Sequence, residues 1–579
     1  MLFFGWRYDY WFVKYHGGRL DIRMKKSDWT NIINTTHASV FGDVSKKSVF
    51  LALIGRGYFP RQLPPPFATA SFANYVESNP DEFKKLLIDD LHKGGRLKTA
   101  ELCRFSLARP GQLRRILGLP NPTFYYLLSL ILADNFNMFE FENDFISPDY
   151  SMSFPKFEEN EQIRAFEFLN DWDEIPIRRL KQRAKGRYLV KTDIARFFPS
   201  IYTHSIPWAL HGKKTAKKDR SAKLIGNFID LLIRSSQDGQ TLGIPIGPDS
   251  SFLISERILL EIDSEIFKQI KNRSIGCFHW VDDYEFVCLS RDDAEYCLSV
   301  LQQALQEYEL ELNTLKTQIL ELPENVQDPE VAQLRNFKFE NEPNVRQLLE
   351  YYDLAFTCFN KHPKGTLKYA IKRIPDHDFY HESISDFMVQ SMMLEPGVIE
   401  AVFVWLARAN RINDVDKPTF TQCLAHIIIE HGRLGHASEV SWAIWGFILL
   451  EQEIPEKAVY VLCNMEDSVV LLLALDAKEK GLLKGKDLEN QIKKLLDDNS
   501  LFGTHWLLSY EAAVHKWRSA ASVNKEKLFK CLKDNGVCFY QSQDIEEYQK
   551  TMKNWEPYNP YVDIDVDVDE FDAFDPSEN

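Results

Sequence analysis

The chain has 579 residues, 45% of them hydrophobic, so it exceeds one ordinary domain, and two to four are expected around ample core. Its formal net charge of −15 at first argues against a nucleic-acid partner, yet the last 19 residues (YVDIDVDVDEFDAFDPSEN) hold eight acids and no base. More than half of the imbalance therefore belongs to this tail, and local basic patches matter more than the total. Nine scattered cysteines without CxxC spacing exclude a zinc ribbon and a disulfide framework, and fit a reducing cytoplasm.

The aromatic start MLFFGWRYDYWFVKY is interrupted by Arg7, Asp9 and Lys14, well short of the roughly 20 apolar residues of a membrane span, and it lacks the pattern of a signal peptide. No membrane partner is expected. Met24 opens a more ordinary polar start, so residues 1–60 read as an N-terminal extension, of little structural weight over the first 23 residues, and a helical lead-in ending near Gly55 and Gly57. In RQLPPPFATASF, Pro64 to Pro66 forbid helix and impose an extended path, by composition a linker. Residues 81–108 return to helical periodicity with Lys84, Lys85, Lys93, Arg96 and Lys98.

From Ala108 to Asn135 come a glycine turn, Arg114 and Arg115, a Gly-Leu-Pro-Asn-Pro bend and an apolar helix. The arginine pair offers a fixed fork of donors to phosphate oxygens, or else lies on a solvated edge. A second cluster (Arg178, Arg179, Lys181, Arg183, Lys185, Arg187) is either a track for a polyphosphate backbone or an exposed helix face.

YLVKTDIARFFPSIY then places an apolar strand, through Leu189 and Val190, ahead of one acid, Asp193, followed by Phe197, Phe198 and Pro199. After an apolar helix at 224–233, Gly243 and Gly247 flank Pro245 in a loop where backbone approaches a ligand closely, and Pro248, Asp249 and Ser250 supply helix-start chemistry. IGCFHWVDDYEFVCLS sets Asp282 and Asp283 between two β-rich runs, which predicts a hairpin with both acids at its tip. Asp-Asp is also a routine turn dipeptide. If the Asp193 strand is its neighbour in one sheet, three carboxylates share an edge and suit two Mg2+ ions, the arrangement that stabilises both oxygens of a phosphoryl or nucleotidyl displacement. A helix at 293–308 and a turn holding Lys316 close the region.

Beyond about residue 340 the pattern is helical alone, with breaks at Glu395-Pro396-Gly397 and Gly432 and with Trp442, Trp445, Trp506 and Trp517 at apolar positions, where core packing is the plain reading. Stacked helical hairpins are expected, without a clean period, and then a disordered acidic tail.

In this order, the Asp193 strand with its Phe-Phe, the Gly-Pro loop and helix, the Val-Asp-Asp hairpin and the Asn-x-x-Lys-Thr turn resemble the palm motifs of reverse transcriptases, over roughly Arg115 to Leu320. The resemblance implies an α+β fold, with the fingers (61–187) and palm (188–325) of a right-hand polymerase, an all-helical, HEAT-like repeat domain (326–545) and the tail (546–579). By the same resemblance Asp193, Asp282 and Asp283 are the catalytic carboxylates and metal ligands, with the backbone of Ile194 near the second metal. Phe198 falls at the steric gate against ribonucleotides, Arg115 holds the triphosphate, and Gly247 lets its loop approach the nucleotide. Lys316 is the candidate proton donor to pyrophosphate. Expected partners are deoxynucleoside triphosphates and a DNA product.

Two positions depart from the family pattern: Ile246 stands where most members have Gln, and Trp280 where Tyr is common before Val281. Together with Leu-Pro-Pro-Pro-Phe, Ile-Gly-Pro-Asp-Ser-Ser and HWLLSYEA (505–512), the chain resembles bacterial abortive-infection and defence-associated reverse transcriptases. That likeness implies antiphage defence by an enzyme that is protein-primed and template-independent in some members. It also admits a noncoding RNA template and a homo-oligomer. The alternatives are a conventional RNA-templated reverse transcriptase and an idle nucleic-acid or phage-protein sensor working through the helical domain.

Overall fold

The computed structural model describes residues 14–16, 19–21, 26–93, 96–109, 113–139, 151–160, 163–170, 174–340, 344–363, 365–375 and 380–554. The expected extension at 1–23 lies mostly outside these residues, apart from an antiparallel pair, Lys14–His16 with Arg19–Asp21.

The helical lead-in forms Lys26–Gly42 and Val44–Gly55, the second started by Asp43, whose carboxylate accepts from the amides of Ser45 and Lys46. The helix expected over 81–108 is shorter, Pro80–Leu91. It gives way to strand β1, Cys103–Ala108, because CRFSLA alternates buried and less buried residues at a period of two. β1 pairs antiparallel with β2, Arg114–Leu119, and the apolar helix Pro122–Asp134 follows, capped by Asn121 and buried along nearly its whole length.

The central sheet has four antiparallel strands in the order β4-β5-β3-β6, with β3 Tyr188–Asp193, β4 Ser274–Trp280, β5 Asp283–Cys288 and β6 Gln318–Glu321. Val190 of β3 and Tyr284, Phe286 and Cys288 of β5 turn into the main core, packed with helices Asp249–Ile270 and Arg291–Glu307. The opposite face carries Lys191, Asp193, Asp283 and Glu285, since successive side chains alternate. Short side ladders, such as Pro155–Phe157 with Phe166–Phe168, complete this half.

Every element from Pro329 to Asn554 is helical, and no helix among the described residues is long and apolar enough to cross a membrane. Ala437–Leu450 is buried at all fourteen positions, as expected for a helix apolar all round, and it packs against β1. The core is continuous across the expected domain boundaries, running from Trp29 to Met552. The triple-proline stretch is therefore not a linker. Pro64, Pro66 and Phe67 are buried, Phe67 bridges Tyr540, the Ala68 amide donates to Phe539 O at 3.1 Å, and the Gln541 amide donates to Pro66 O at 2.8 Å.

Trp442, Trp445 and Trp506 are core residues, and two of them also tie the halves together. Trp442 donates to Gln62 O (3.2 Å) and Trp506 to Leu119 O (3.0 Å). The tail expected from 546 begins later, because Ile545–Asn554 is a helix whose Tyr548 packs edge-on against Trp445 at 5.7 Å. Residues 555–579 lie outside the described residues. All nine cysteines are free thiols.

Candidate active site

β5 and β3 pair in a register that makes Asp283 and Asp193 direct cross-strand partners. Asp282 occupies the two-residue turn between Trp280 and Asp283, and its carbonyl accepts from the Ile194 amide at 3.1 Å, so the three acids converge at one sheet edge as expected. Val281, the other turn residue, has φ of 49°. A β-branched residue in that left-handed region costs about 1–3 kcal/mol, so its surroundings must hold it there.

Burial, and then the nearby charge of Asp282, push the Asp193 carboxyl up to about 6 against the opposing pull of Lys316. Asp283 is driven well above the ordinary carboxylate range by burial and by both neighbouring acids. These shifts mark buried carboxylates crowded together with more negative charge than Lys316 offsets. Asp193 Oδ1 is buried with no hydrogen-bond partner, an acceptor that a hard cation would satisfy, so the donor set fits Mg2+.

Lys316 is buried and sits 3.1 Å from Asp193 Oδ2, so the structure gives it first the task of holding that carboxylate. Its turn is built to do so: the Asn313 amide donates to Asp193 O (2.9 Å), Thr317 Oγ1 to Asn313 O (2.7 Å), and Thr317 meets Thr192 at 2.7 Å.

The six-cation cluster is divided: Lys181, Lys185 and Arg187 are exposed, while Arg179 and Arg183 turn to the sheet. Helix Glu174–Arg183 turns Arg183 inward, where its guanidinium straddles both oxygens of Glu285 at 2.7–3.2 Å, while Arg179 pairs with the same carboxylate at 2.9 Å. Arg187 bonds Glu321 on the surface at 2.7 Å. Three of the six thus secure the sheet.

Arg114 and Arg115 leave β2 on opposite faces. Arg114 is taken by Glu439 of the helical region, bidentately at 2.5 and 2.8 Å; against burial, the neighbouring His431 and then this guanidinium hold the Glu439 carboxyl well below its usual range. β2 also reaches the Gly-Pro loop, because the Gly118 amide donates to Ile246 O at 3.0 Å. That loop is laddered to the Phe198 turn by Ile244 to Phe198 O (3.1 Å) and Gly243 to Ile201 O (2.8 Å). The strand of Arg115, Phe198 and the Gly247 loop are therefore joined by backbone hydrogen bonds. Gly247 has φ of 120°, and a Cβ there would lie 2.5 Å from Pro60, so the close approach that its missing side chain permits is to this proline.

A cavity of about 440 Å³ lies elsewhere, between the end of β1 and the helical region. On its wall His431, His436 and Glu439 group their ligand atoms within 4.8 Å, but the carboxylate is already neutralised by Arg114.

Sequence reasoning missed the polar groups beneath the turn. His279 stands opposite Tyr284 in the hairpin, and both reach Asp263 of the Asp249–Ile270 helix, at 2.8 Å from His279 Nε2 and 2.9 Å from the Tyr284 hydroxyl. The helix buries three acids at seven-residue spacing, Asp249, Glu256 and Asp263, which a heptad count of its carboxylates could have flagged.

No curated protein matches the chain. Among solved structures it is similar to a telomerase of Candida tropicalis in complex with a fragment of telomeric RNA, with 12% identity and a TM-score of 0.28, covering 74% of this chain and 68% of that one. The family model described as reverse transcriptase (RNA-dependent DNA polymerase) matches residues 121–346, a span that contains the three acids, Phe198, Gly247 and Lys316 and begins just after Arg115. Residues 121–346 are therefore a domain of the reverse transcriptase type.

Proposed function

We propose that the protein is a DNA polymerase of the reverse-transcriptase type that joins deoxynucleotides by two-metal catalysis and serves antiphage defence in the cytoplasm. The observation that carries the chemical part is the register that sets Asp283 against Asp193, with Asp282 in the adjoining turn. The defence role rests on the motif resemblance at Leu63–Phe67, Ile246–Ser251 and His505–Ala512. The helical region is read as a repeat-like scaffold on which the fingers are mounted.

Asp193, Asp282, Asp283 and the Ile194 backbone would hold the ions. When bound, these supply neutralisation of charge on the α-phosphate and on the attacking and leaving oxygens. Lys316 fixes the Asp193 carboxylate through its 3.1 Å contact and, in this reading, passes a proton to departing pyrophosphate. Phe198 closes the sugar side against a 2′-hydroxyl, and Arg115 takes triphosphate oxygens with its planar fork. The product is a DNA strand grown from a hydroxyl, either a primer 3′-end or a tyrosine of the chain itself.

Purified protein incubated with magnesium and each labelled deoxynucleotide, with and without added RNA, tests this directly on a denaturing protein gel. Label retained in the protein band without RNA supports protein-primed synthesis, and free DNA made only with RNA and primer supports templated synthesis. No incorporation under any condition, with phage protection unchanged in Asp282→Asn and Asp283→Asn, would favour the idle sensor.

A further inference from the structure

The backbone of Val281, strained at its φ of 49°, is gripped on both sides. On one side the Val281 amide donates to Ser153 Oγ at 2.8 Å, and the Ser153 hydroxyl donates to Glu256 Oε1 at 3.0 Å. On the other, His279 Nδ1 lies 3.0 Å from Val281 O while its Nε2 lies 2.8 Å from Asp263 Oδ2, off the line of an ideal hydrogen bond. Both partners of the imidazole are acceptors, so the ring donates from both nitrogens. Ser153, Glu256, Asp263 and His279 are all at most 1% exposed. The 151–153 segment runs beside β4, with a bridge from Ser151 to His279 and the Met152 amide donating to His279 O at 3.0 Å, so Ser153 is itself fixed.

We propose that Ser153, Glu256, Asp263 and His279 are positioning residues of the catalytic turn, clamping the backbone N–H and C=O of Val281 to one helix so that Asp282 and Asp283 are presented at a fixed distance from Asp193. This inference rests on the polymerase reading above.

The clamp has an internal logic. Glu256 and Asp263 are two helical turns apart on one face, so a single rigid element supplies both anchors. Glu256 Oε2 is buried without a partner, and burial pushes that carboxyl up to about 8, so it serves as a neutral acceptor. Burial lowers the His279 imidazole, but Asp263, by its charge and its close contact, outweighs this and raises it to about 9, in keeping with its two donor contacts. None of the four residues is offered as touching nucleotide or metal. They act through the backbone of the residue before the acids.

The test compares Ser153→Ala, His279→Gln and Glu256→Gln with wild type and with Asp282→Asn. Two measurements are made on each purified full chain: Mn2+ affinity by electron paramagnetic resonance, and kcat and KM for deoxynucleotide incorporation. Ser153→Ala and His279→Gln are expected to weaken Mn2+ binding and lower kcat about tenfold or more, leaving nucleotide KM within about twofold, as outer-shell changes do. Glu256→Gln keeps a neutral acceptor for Ser153 and is expected to stay within about threefold of wild type. Melting temperature and hydrogen exchange at the Val281 amide identify a variant that fails to fold, in which case the remaining substitution decides. Wild-type Mn2+ affinity and kcat in folded Ser153→Ala and His279→Gln, while Asp282→Asn is inactive, would overturn the clamp and spare the polymerase reading. An inactive wild type that still binds Mn2+, with binding weakened by Ser153→Ala, would overturn the polymerase reading and keep the clamp.

Discussion

Asp283 faces Asp193 across the β5–β3 ladder, so two carboxylates stand where like charges directly opposed destabilise a sheet. Asp283→Asn is therefore expected to stabilise the metal-free protein, by about 1 kcal/mol in urea denaturation, the usual scale for relieving an active-site conflict. The same substitution is expected to abolish nucleotide incorporation. A variant that is both less stable and still active would contradict the assignment of this pair.

The raised carboxyls also fix the sign of a pH effect. Asp193, pushed up to about 6, binds its proton more tightly folded than unfolded, so metal-free stability is expected to fall as pH rises from about 4 through 6. Divalent-ion affinity should move the other way, because ligands must be deprotonated. Thermal melts from pH 4.5 to 7.5, with and without Mg2+, should show curves that diverge as pH increases.

Much of this site was legible from the chain. Asp193, Asp282 and Asp283 each end or join a β-rich run, and a period of two determines which residues share a face, so their convergence follows once the strands are neighbours. The fates of Arg114 and Arg183 were not legible. Their partners, Glu439 and Glu285, lie 325 and 102 residues away, and charge spacing along a segment carries no information about such contacts. Likewise Pro64 to Pro66 specify an extended path, but not that Tyr540 and Gln541 cover it.

Removing one partner of a buried ion pair strands the other. Glu439→Gln leaves the Arg114 guanidinium, 17% exposed, without its counter-charge and is expected to cost about 3 kcal/mol. Arg114→Ala should cost a similar amount, and the double substitution should cost less than the sum. Chemical denaturation of the three variants checks this, and simple additivity would mean that the two residues do not act as a pair.

Gly247→Ala meets two obstacles, a φ of 120° and a contact 2.5 Å from Pro60. Replacing Pro60 by Ala in the same chain removes only the steric part. The pair is therefore expected to recover some, not all, of the lost melting temperature. Full recovery would show that backbone conformation is not what requires glycine here.

At the sugar side, Phe198→Ala is expected to narrow the preference for deoxynucleotides over ribonucleotides by about tenfold or more, read as the ratio of the two kcat/KM values. An unchanged ratio would remove Phe198 from that role.

The hydrogen bond from Trp506 to Leu119 O, with that from Asn121 Nδ2 to Leu501 O at 2.8 Å, has a bearing on how this molecule can be taken apart. The last residue of β2 and the cap of the central apolar helix take their partners from residues nearly four hundred positions downstream. A fragment cut near residue 340 would keep all three acids of the candidate site yet expose Leu117, Leu119, Phe67 and the buried face of β1 to water. Limited proteolysis should therefore release no stable fragment holding the three acids, and the half that carries them is expected to settle only once the segment with Leu501 and Trp506 has been made.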